Sequence, residues 1–330
     1  MMQDEQDEIL TPGSDGTADA AHMADETRAK DKSGIGKIWS RFADSFIGTM
    51  LLALVMLSVG GVAGVCICKL MAAHTNIELS VWQTMETYIA FIGIWIVSII
   101  YILLTKKNRP ILKALGPWPK GNSLRGLGTG LLIGFTMNLM CAVVAMANKD
   151  ITLYFSSFDI KNLLLVFIVV FIQSGAEELI CRVFIYQRLV KRYKNVWLAA
   201  VLNSVLFVVL HLSNPGFTWI SAAVIMLSGL IFSAMVIYMD SSWAPMGAHA
   251  AWNYTQNILL GLPNSGLVVP FSMCKVDAVS DSWAYSVKFG LEGSVTAVVV
   301  QTAALVILIV WGVKHKKQPY DIWMKQDHKA

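Results

Sequence analysis

Long apolar stretches constrain the fold of this chain more than any other feature of its sequence. Each runs for about 18 to 28 residues, which is long enough for a helix to cross the hydrocarbon core of a bilayer. Only 15% of the residues are charged, against about a quarter in a typical soluble domain. We therefore predict an all-α, polytopic membrane protein with about eight transmembrane helices. The predicted spans cover about residues 45–68, 81–105, 126–147, 162–187, 196–213, 217–239, 243–261 and 294–313.

The basic residues predict the orientation of these spans. About 20 of the 26 lysines and arginines fall on one side of the membrane, in the two tails and in the loops 106–125 and 188–194. Cytoplasmic loops carry such an excess, so both termini are predicted to be cytoplasmic, which requires an even number of spans. The net charge of +4 follows from this topology and indicates no nucleic-acid partner. Short loops and compact size favour a bacterial cell membrane.

The chain divides into consecutive regions of different composition. Residues 1–36 are rich in Asp, Glu, Ala and Gly, and a segment of that kind buries too little apolar surface to fold. We predict a disordered acidic cytoplasmic tail there. Residues 37–160 hold the first three spans and residues 161–262 the next four. Residues 263–293 form a predicted extracytoplasmic loop of unassigned role, and residues 294–330 hold the last span and a basic cytoplasmic tail.

The fourth predicted span carries two adjacent carboxylates, Glu177 and Glu178. Ionisable groups in the hydrocarbon core are costly and by default indicate function. Glu178 precedes Arg182 by four residues, in the favourable order, so we expect an ion pair on one helix face. Glu177 points about 100° away and has no local partner, which favours catalysis or ligand binding over structural hydrogen bonding. Glu86 starts the second span, and we expect it at the membrane interface.

Two histidines lie in other predicted spans, His211 in the fifth and His249 in the seventh. One buried histidine is more often structural than catalytic, but two on different helices beside an unpaired glutamate favour a site. His249 and Asn253 are four residues apart and therefore share a helix face, which Asn257 continues by one more turn. Phe207 lies one turn from His211, where it is expected to shape a pocket wall.

Glycines in the third predicted span recur at four-residue spacing, at positions 126, 130 and 134. Small residues at this spacing let two membrane helices approach closely, so we predict close helix packing along this stripe. No strand precedes the glycines, and a nucleotide-binding loop is therefore not indicated.

The sequence lacks the catalytic residues of several known classes of membrane protease. The HExxH pattern of zinc proteases does not occur. An intramembrane aspartyl protease needs two aspartates within spans, and only Asp240 comes near one. A rhomboid-type serine protease needs glycine two residues before its serine, where Ser228 has Met226.

A glutamate-based mechanism fits the residues better. A glutamate can act as general base on a water held by a histidine, and histidine and asparagine side chains can stabilise the developing oxyanion. Glu177, His211, His249 and Asn253 meet these requirements. In straight helices of 1.5 Å per residue, however, Glu177, His211 and His249 would lie about 16, 23 and 9 Å from the cytoplasmic ends of their spans.

Three short motifs lie in order on these predicted helices. EELICR at 177–182 fits EExxxR, FVVLH at 207–211 fits FxxxH, and HAAWN at 249–253 fits HxxxN. Together they resemble the CPBP family, which includes CAAX prenyl endopeptidases and the bacteriocin-processing and immunity-associated proteins of the Abi group. The resemblance covers about residues 160–262 and implies core helices that enclose an intramembrane cavity.

The resemblance also implies roles for individual residues. Glu177 would activate the water and His211 would help to hold it, while His249 and Asn253 would stabilise the oxyanion. Glu178, Arg182 and Phe207 would be supporting residues. Members are often labelled metalloproteases, but the glutamate scheme needs no metal, and we expect no cofactor. The alternative is a Zn²⁺ ion bound by Glu177, His211 and His249.

The favoured function is an intramembrane endopeptidase acting on a peptide or a membrane-anchored protein. A non-enzymatic immunity or peptide-binding membrane protein is the first alternative, although a pure binder needs no unpaired glutamate beside two histidines. A small transporter is the second, since paired carboxylates suit proton coupling. It is disfavoured because the spans show neither an inverted repeat nor a pair of broken helices.

Overall fold

The computed structural model describes residues 39, 41–117, 119–318 and 322–323. The predicted acidic tail, residues 1–36, and most of the predicted basic C-terminal tail lie outside the described residues. The described part of the chain is mostly helical, in agreement with the predicted fold class, but it also contains a two-stranded sheet that an all-α prediction leaves out.

The helices follow one another with short connections. In chain order they are α1 (Phe46–Ala72), α2 (Leu79–Ile89), α3 (Ile92–Leu104), α4 (Leu124–Ala147), α5 (Ile160–Glu178), α6 (Tyr186–Tyr193), α7 (Val196–His211), α8 (Trp219–Met239), α9 (Trp243–Asn253) and α10 (Val295–Lys314). Short 3₁₀ helices form at Arg109–Ala114 and Leu291–Gly293. Two π-helical segments, Leu179–Ile185 and Tyr254–Leu259, continue α5 and α9 without a break.

Polar residues cap three of the helices that carry the candidate site. The side chain of Asp159 accepts a hydrogen bond from Asn162 N at the start of α5. Asn195 caps α7 in the same way, and Thr218 caps α8. Such caps satisfy backbone N–H groups that have no partner within the helix, so they define where each apolar run becomes a helix.

Six helices in the described residues are long and apolar enough to cross a membrane. They are Phe46–Ala72, Leu79–Leu104, Leu124–Ala147, Ile160–Tyr193, Trp219–Met239 and Val295–Lys314. They correspond to six of the predicted spans. The fifth predicted span is α7, whose 16 residues extend for about 24 Å, less than the hydrocarbon thickness of about 30 Å.

The seventh predicted span is α9, which is also short and is enclosed by protein. Every residue from Ala244 to Asn253 is buried. The helix packs along α4 and contacts α5 and α8. A helix surrounded by other helices is apolar for the same reason as a lipid-facing one, so counting apolar runs does not distinguish the two.

The glycines of α4 explain how close α9 lies. A Cβ atom at Gly130 would overlap the carbonyl oxygen of Ala244, and one at Gly134 would overlap that of Ala248. Close helix packing is therefore confirmed at these two positions. A Cβ atom at Gly126 would overlap a different group, the carbonyl oxygen of Gly121 just before α4. The close contact at Gly126 is therefore not with α9.

The sheet anchors the segment between α9 and α10. Strand β1 (Ile151–Phe155) pairs antiparallel with β2 (Cys274–Ala278), with Ile151 opposite Ala278 and Phe155 opposite Cys274. The β1 sequence ITLYF is rich in β-branched and aromatic residues, which favour strands. The predicted 263–293 loop is thus tied to the chain that follows α4.

Candidate active site

A cavity of about 310 Å³ lies where α5, α7, α8 and α9 meet. Residues of α1 and α2, the turn after α2 and the segment between α9 and α10 complete its wall. Glu177, His211, His249, Asn253 and Phe207 all line it. The tertiary structure therefore brings together the candidate residues that the three motifs contributed separately.

Glu177 lies in the last turn of α5, immediately before a π-helical segment. Its Oε1 atom accepts a hydrogen bond of 2.6 Å from Gln173 Nε2. Its Oε2 atom is buried and accepts no hydrogen bond from the described residues. The nearest ionisable partner is His249, whose Nε2 lies 3.7 Å from that oxygen. One oxygen of the carboxylate is thus held in place and the other is left without a donor.

Glu178 is fully buried and forms the expected ion pair with Arg182, with 3.0 Å between Oε1 and Nη1. The same Oε1 atom accepts a hydrogen bond of 2.9 Å from His249 Nδ1. Arg182 also donates to the carbonyl oxygen of Gly229. Glu178 therefore links the α5 motif to α9, a contact between two motifs that spacing along the chain did not predict.

Two phenylalanine rings enclose the Arg182 guanidinium. Its centre lies 4.8 Å from the ring centroid of Phe207 and 5.1 Å from that of Phe232. Phe232 also stacks on His249, with ring centroids 5.3 Å apart and planes inclined by 22°. Phe207 contacts both histidine rings edge-on, at 4.7 Å for His211 and 5.9 Å for His249. The predicted wall role of Phe207 matches its position, and Phe232 shares that role.

His211 is the last residue of α7, and its Nδ1 lies 2.7 Å from the carbonyl oxygen of Phe207. A carbonyl oxygen only accepts, so Nδ1 donates this bond and carries the proton. The Nε2 atom of the neutral ring is then an acceptor. The ring lines the cavity, so in its neutral form Nε2 is the nitrogen that can accept a hydrogen bond from a molecule there.

Asn253 ends the α-helical part of α9 and lines the cavity with His249, as their spacing predicted. Its Nδ2 donates to Gln173 Oε1 at 3.1 Å and to Ser174 Oγ at 3.3 Å. Asn257, which was expected to extend this face, follows the change to π-helix and does not line the cavity. It accepts from the Tyr88 hydroxyl instead. The wider π turn explains why four-residue spacing fails there.

Gln173 was not among the residues selected from the sequence. It donates to Glu177 and accepts from Asn253, so one side chain orients both. It lies four residues before Glu177, and a polar residue inside an apolar run is a signal that sequence reasoning could have used. Phe232 carries no comparable signal, because it resembles any other apolar residue of α8.

The cavity also contains residues from the segment after α9. Asn264, Ser265 and Glu292 line it. Glu292 is buried, and burial raises the pKa of its carboxyl, while hydrogen bonds from Ser265 act in the opposite direction. This segment had no predicted role, since it lies far along the chain from the motifs.

Straight helices were expected to place Glu177, His211 and His249 at different depths in the membrane. In the structure all three nevertheless line one cavity. The same three are the alternative zinc ligands. Among the described residues, no group of three or more His, Cys, Asp and Glu side chains is arranged so that it could hold a metal ion.

Comparison with known protein families agrees with the motifs. Residues 159–255 match a family model described as Type II CAAX prenyl endopeptidase Rce1-like. This segment runs from the cap of α5 to just beyond Asn253 and contains all three motifs, which confirms the resemblance to CAAX proteases. No curated protein and no solved structure matches the chain. Helices α1 to α4, Glu292 and α10 lie outside the matched segment.

Proposed function

We propose that this chain is an intramembrane endopeptidase that hydrolyses a peptide bond with water activated by Glu177. The family match of residues 159–255 supports a CAAX-type peptidase. The observation that carries the glutamate mechanism is that Glu177 lines the cavity and that its buried Oε2 atom has no hydrogen-bond donor among the described residues. The Oε2 atom of Glu178 also lacks a donor there, but Glu178 does not line the cavity. A buried carboxylate oxygen without a donor is costly, and a water molecule in the cavity would supply one.

In the proposed reaction, a water donates one hydrogen bond to Glu177 Oε2 and the other to His211 Nε2. Glu177 takes a proton from the water as its oxygen attacks the carbonyl carbon of the peptide bond. The proton then passes from Glu177 to the nitrogen of the leaving amine as the C–N bond breaks. The products are a carboxylic acid and an amine, and Glu177 returns to its carboxylate form.

The tetrahedral intermediate needs donors for its negatively charged oxygen. His249 uses Nδ1 for Glu178, so only the doubly protonated ring can donate from Nε2. With that ring charged, Glu177 and Glu178 are balanced by Arg182 and His249. Asn253 supplies the second donor when the oxyanion replaces Ser174 as an acceptor of its Nδ2.

We also propose a substrate and a setting for this activity. The substrate is a peptide or a membrane-anchored protein whose scissile bond reaches the cavity within the bilayer. We propose that α7 and α9, together with the six longer spans, complete eight crossings of a bacterial cell membrane. The excess of lysine and arginine on one side supports cytoplasmic termini.

The proposal is tested with purified protein in detergent and a panel of fluorogenic peptides, prenylated and unprenylated. Wild type is compared with Glu177→Gln, His211→Ala and the control Glu86→Gln. Glu86 is exposed on α2 and is not among the residues that line the cavity. Activity in wild type and the control, with loss in the two site variants, supports the mechanism. Full activity of Glu177→Gln would exclude it.

Absence of hydrolysis by wild type, combined with saturable peptide binding, would favour the alternative of a non-enzymatic immunity or peptide-binding protein. Binding is therefore measured in parallel by fluorescence anisotropy with the same peptides.

A further inference from the structure

Glu292 is a second carboxylate in the cavity, and the mechanism above does not use it. It belongs to the 3₁₀ helix Leu291–Gly293, directly before α10, and only 8% of its surface is exposed. Together with Asn264, Ser265 and Leu267 it lines the part of the cavity that we call the loop end.

The hydrogen-bond partners of Glu292 hold its carboxylate without bringing a positive charge to it, and the His211 imidazole in the same cavity interacts with it electrostatically. Trp252 Nε1 donates to Oε1 at 3.0 Å, and the backbone N and Oγ of Ser265 each donate to Oε2 at 2.6 Å. All three donors are neutral. The indole of Trp252 comes from the HAAWN motif, so the carboxylate is attached to the same helix as His249 and Asn253.

The loop end contains a further hydrogen-bond acceptor, the side-chain oxygen of Asn264, to which no described residue donates. Asn264 is 7% exposed, and its side chain forms a hydrogen bond with the Tyr88 side chain, but its buried Oδ1 atom accepts none from the described residues. Buried polar atoms are normally hydrogen-bonded, so an unpartnered acceptor in a cavity wall indicates a ligand that donates.

The charges around the cavity indicate which kind of donor fits. Its lining includes two carboxylates, from Glu177 and Glu292, and two imidazoles, from His211 and His249. Within the described part of the chain, no lysine or arginine lines it. A buried carboxylate is stabilised by a paired cation. An anionic group at the loop end would be repelled by the Glu292 carboxylate and would find no donor at Asn264 Oδ1.

We propose that the loop end is a subsite for a cationic hydrogen-bond donor of the substrate, the ammonium of a lysine or the guanidinium of an arginine. The proposal rests on the peptidase function proposed above and specifies its substrate class. Glu292 and Asn264 are the specificity-determining residues, and Trp252 and Ser265 hold the Glu292 carboxylate in position.

The test uses peptide pairs that differ only in lysine against Nε-acetyl-lysine, placed in turn at each position around the scissile bond. For wild type we expect one position at which lysine raises kcat/KM about tenfold or more, as hydrogen bonds to buried charged groups do. Glu292→Gln should bring that ratio close to one, and Glu86→Gln should leave it as in wild type. Because the wild-type ratio needs no variant, it remains informative if Glu292→Gln fails to fold.

Binding separates failure of the subsite from failure of the peptidase function. Glu177→Gln protein is titrated with the same peptide pairs, and the ratio of the two Kd values is compared with that of the Glu177→Gln/Glu292→Gln double variant. A preference for lysine that Glu292→Gln removes supports the subsite even if no peptide is hydrolysed. Hydrolysis without a lysine preference at any position, or a preference that survives in Glu292→Gln, would overturn the subsite and leave the peptidase function standing.

Discussion

The Nδ1 atom of His249 lies 2.9 Å from the Oε1 atom of Glu178. The two residues belong to different motifs, more than two helices apart along the chain. Because the carboxylate accepts, the hydrogen bond fixes which nitrogen of the imidazole carries a proton and directs Nε2 toward Glu177. The two adjacent glutamates therefore differ in environment: Glu178 is fully buried between Arg182 and His249, whereas Glu177 lines the cavity.

Glu177→Gln is expected to lower kcat by about 10²- to 10⁴-fold, the usual contribution of a general base, while the protein keeps its thermal stability. The amide has nearly the shape of the carboxylate and removes a buried oxygen that lacks a donor. Peptide hydrolysis and thermal denaturation in detergent measure the two effects. A large fall in Tm would show that Glu177 is a structural residue.

Glu178→Gln is expected to destabilise the protein, by about 3–5 kcal/mol, because it leaves Arg182 buried without a carboxylate. Thermal denaturation in detergent measures this, with Glu86→Gln as the exposed control. The double variant Glu178→Gln/Arg182→Met should recover part of the loss, since it removes the unpaired charge. Equal Tm values for Glu178→Gln and Glu86→Gln would contradict the importance of this ion pair.

Gly130→Ala and Gly134→Ala are each expected to lower stability by about 1–3 kcal/mol, because the added methyl group overlaps the backbone of α9. The matched control is Gly128→Ala on the same helix, where an added Cβ has no neighbour within 4 Å. That change should be neutral or slightly stabilising, since alanine favours helix more than glycine does. Equal Tm values for all three variants would show that α4 and α9 do not pack as closely as described.

Metal chelation distinguishes the glutamate mechanism from the zinc alternative. Under the glutamate mechanism, activity in the presence of a strong chelator should stay within about twofold of that in buffer, since the general base is a side chain. Activity lost to the chelator and restored by Zn²⁺ would instead assign Glu177, His211 and His249 as metal ligands. Metal analysis of the purified protein provides an independent measurement.

Local relationships in this chain were predictable from the sequence. Four-residue spacing correctly paired Glu178 with Arg182 and placed His249 and Asn253 on one face, because both depend only on α-helical geometry. The same spacing failed at Asn257, since a π-helical segment begins after Asn253 and changes which side chains face the cavity.

The membrane class, the helical fold and the three motifs follow from the sequence by itself, because they depend on composition and on residues close together in the chain. Only the tertiary structure decided which apolar runs face other helices, how Glu178 reaches His249, and that Glu292 and Asn264 join the cavity. These outcomes depend on contacts between segments distant in the chain, which packing of the whole molecule selects. A buried, protein-enclosed helix such as α9 and a lipid-facing one both form apolar runs, so a sequence alone does not separate the two.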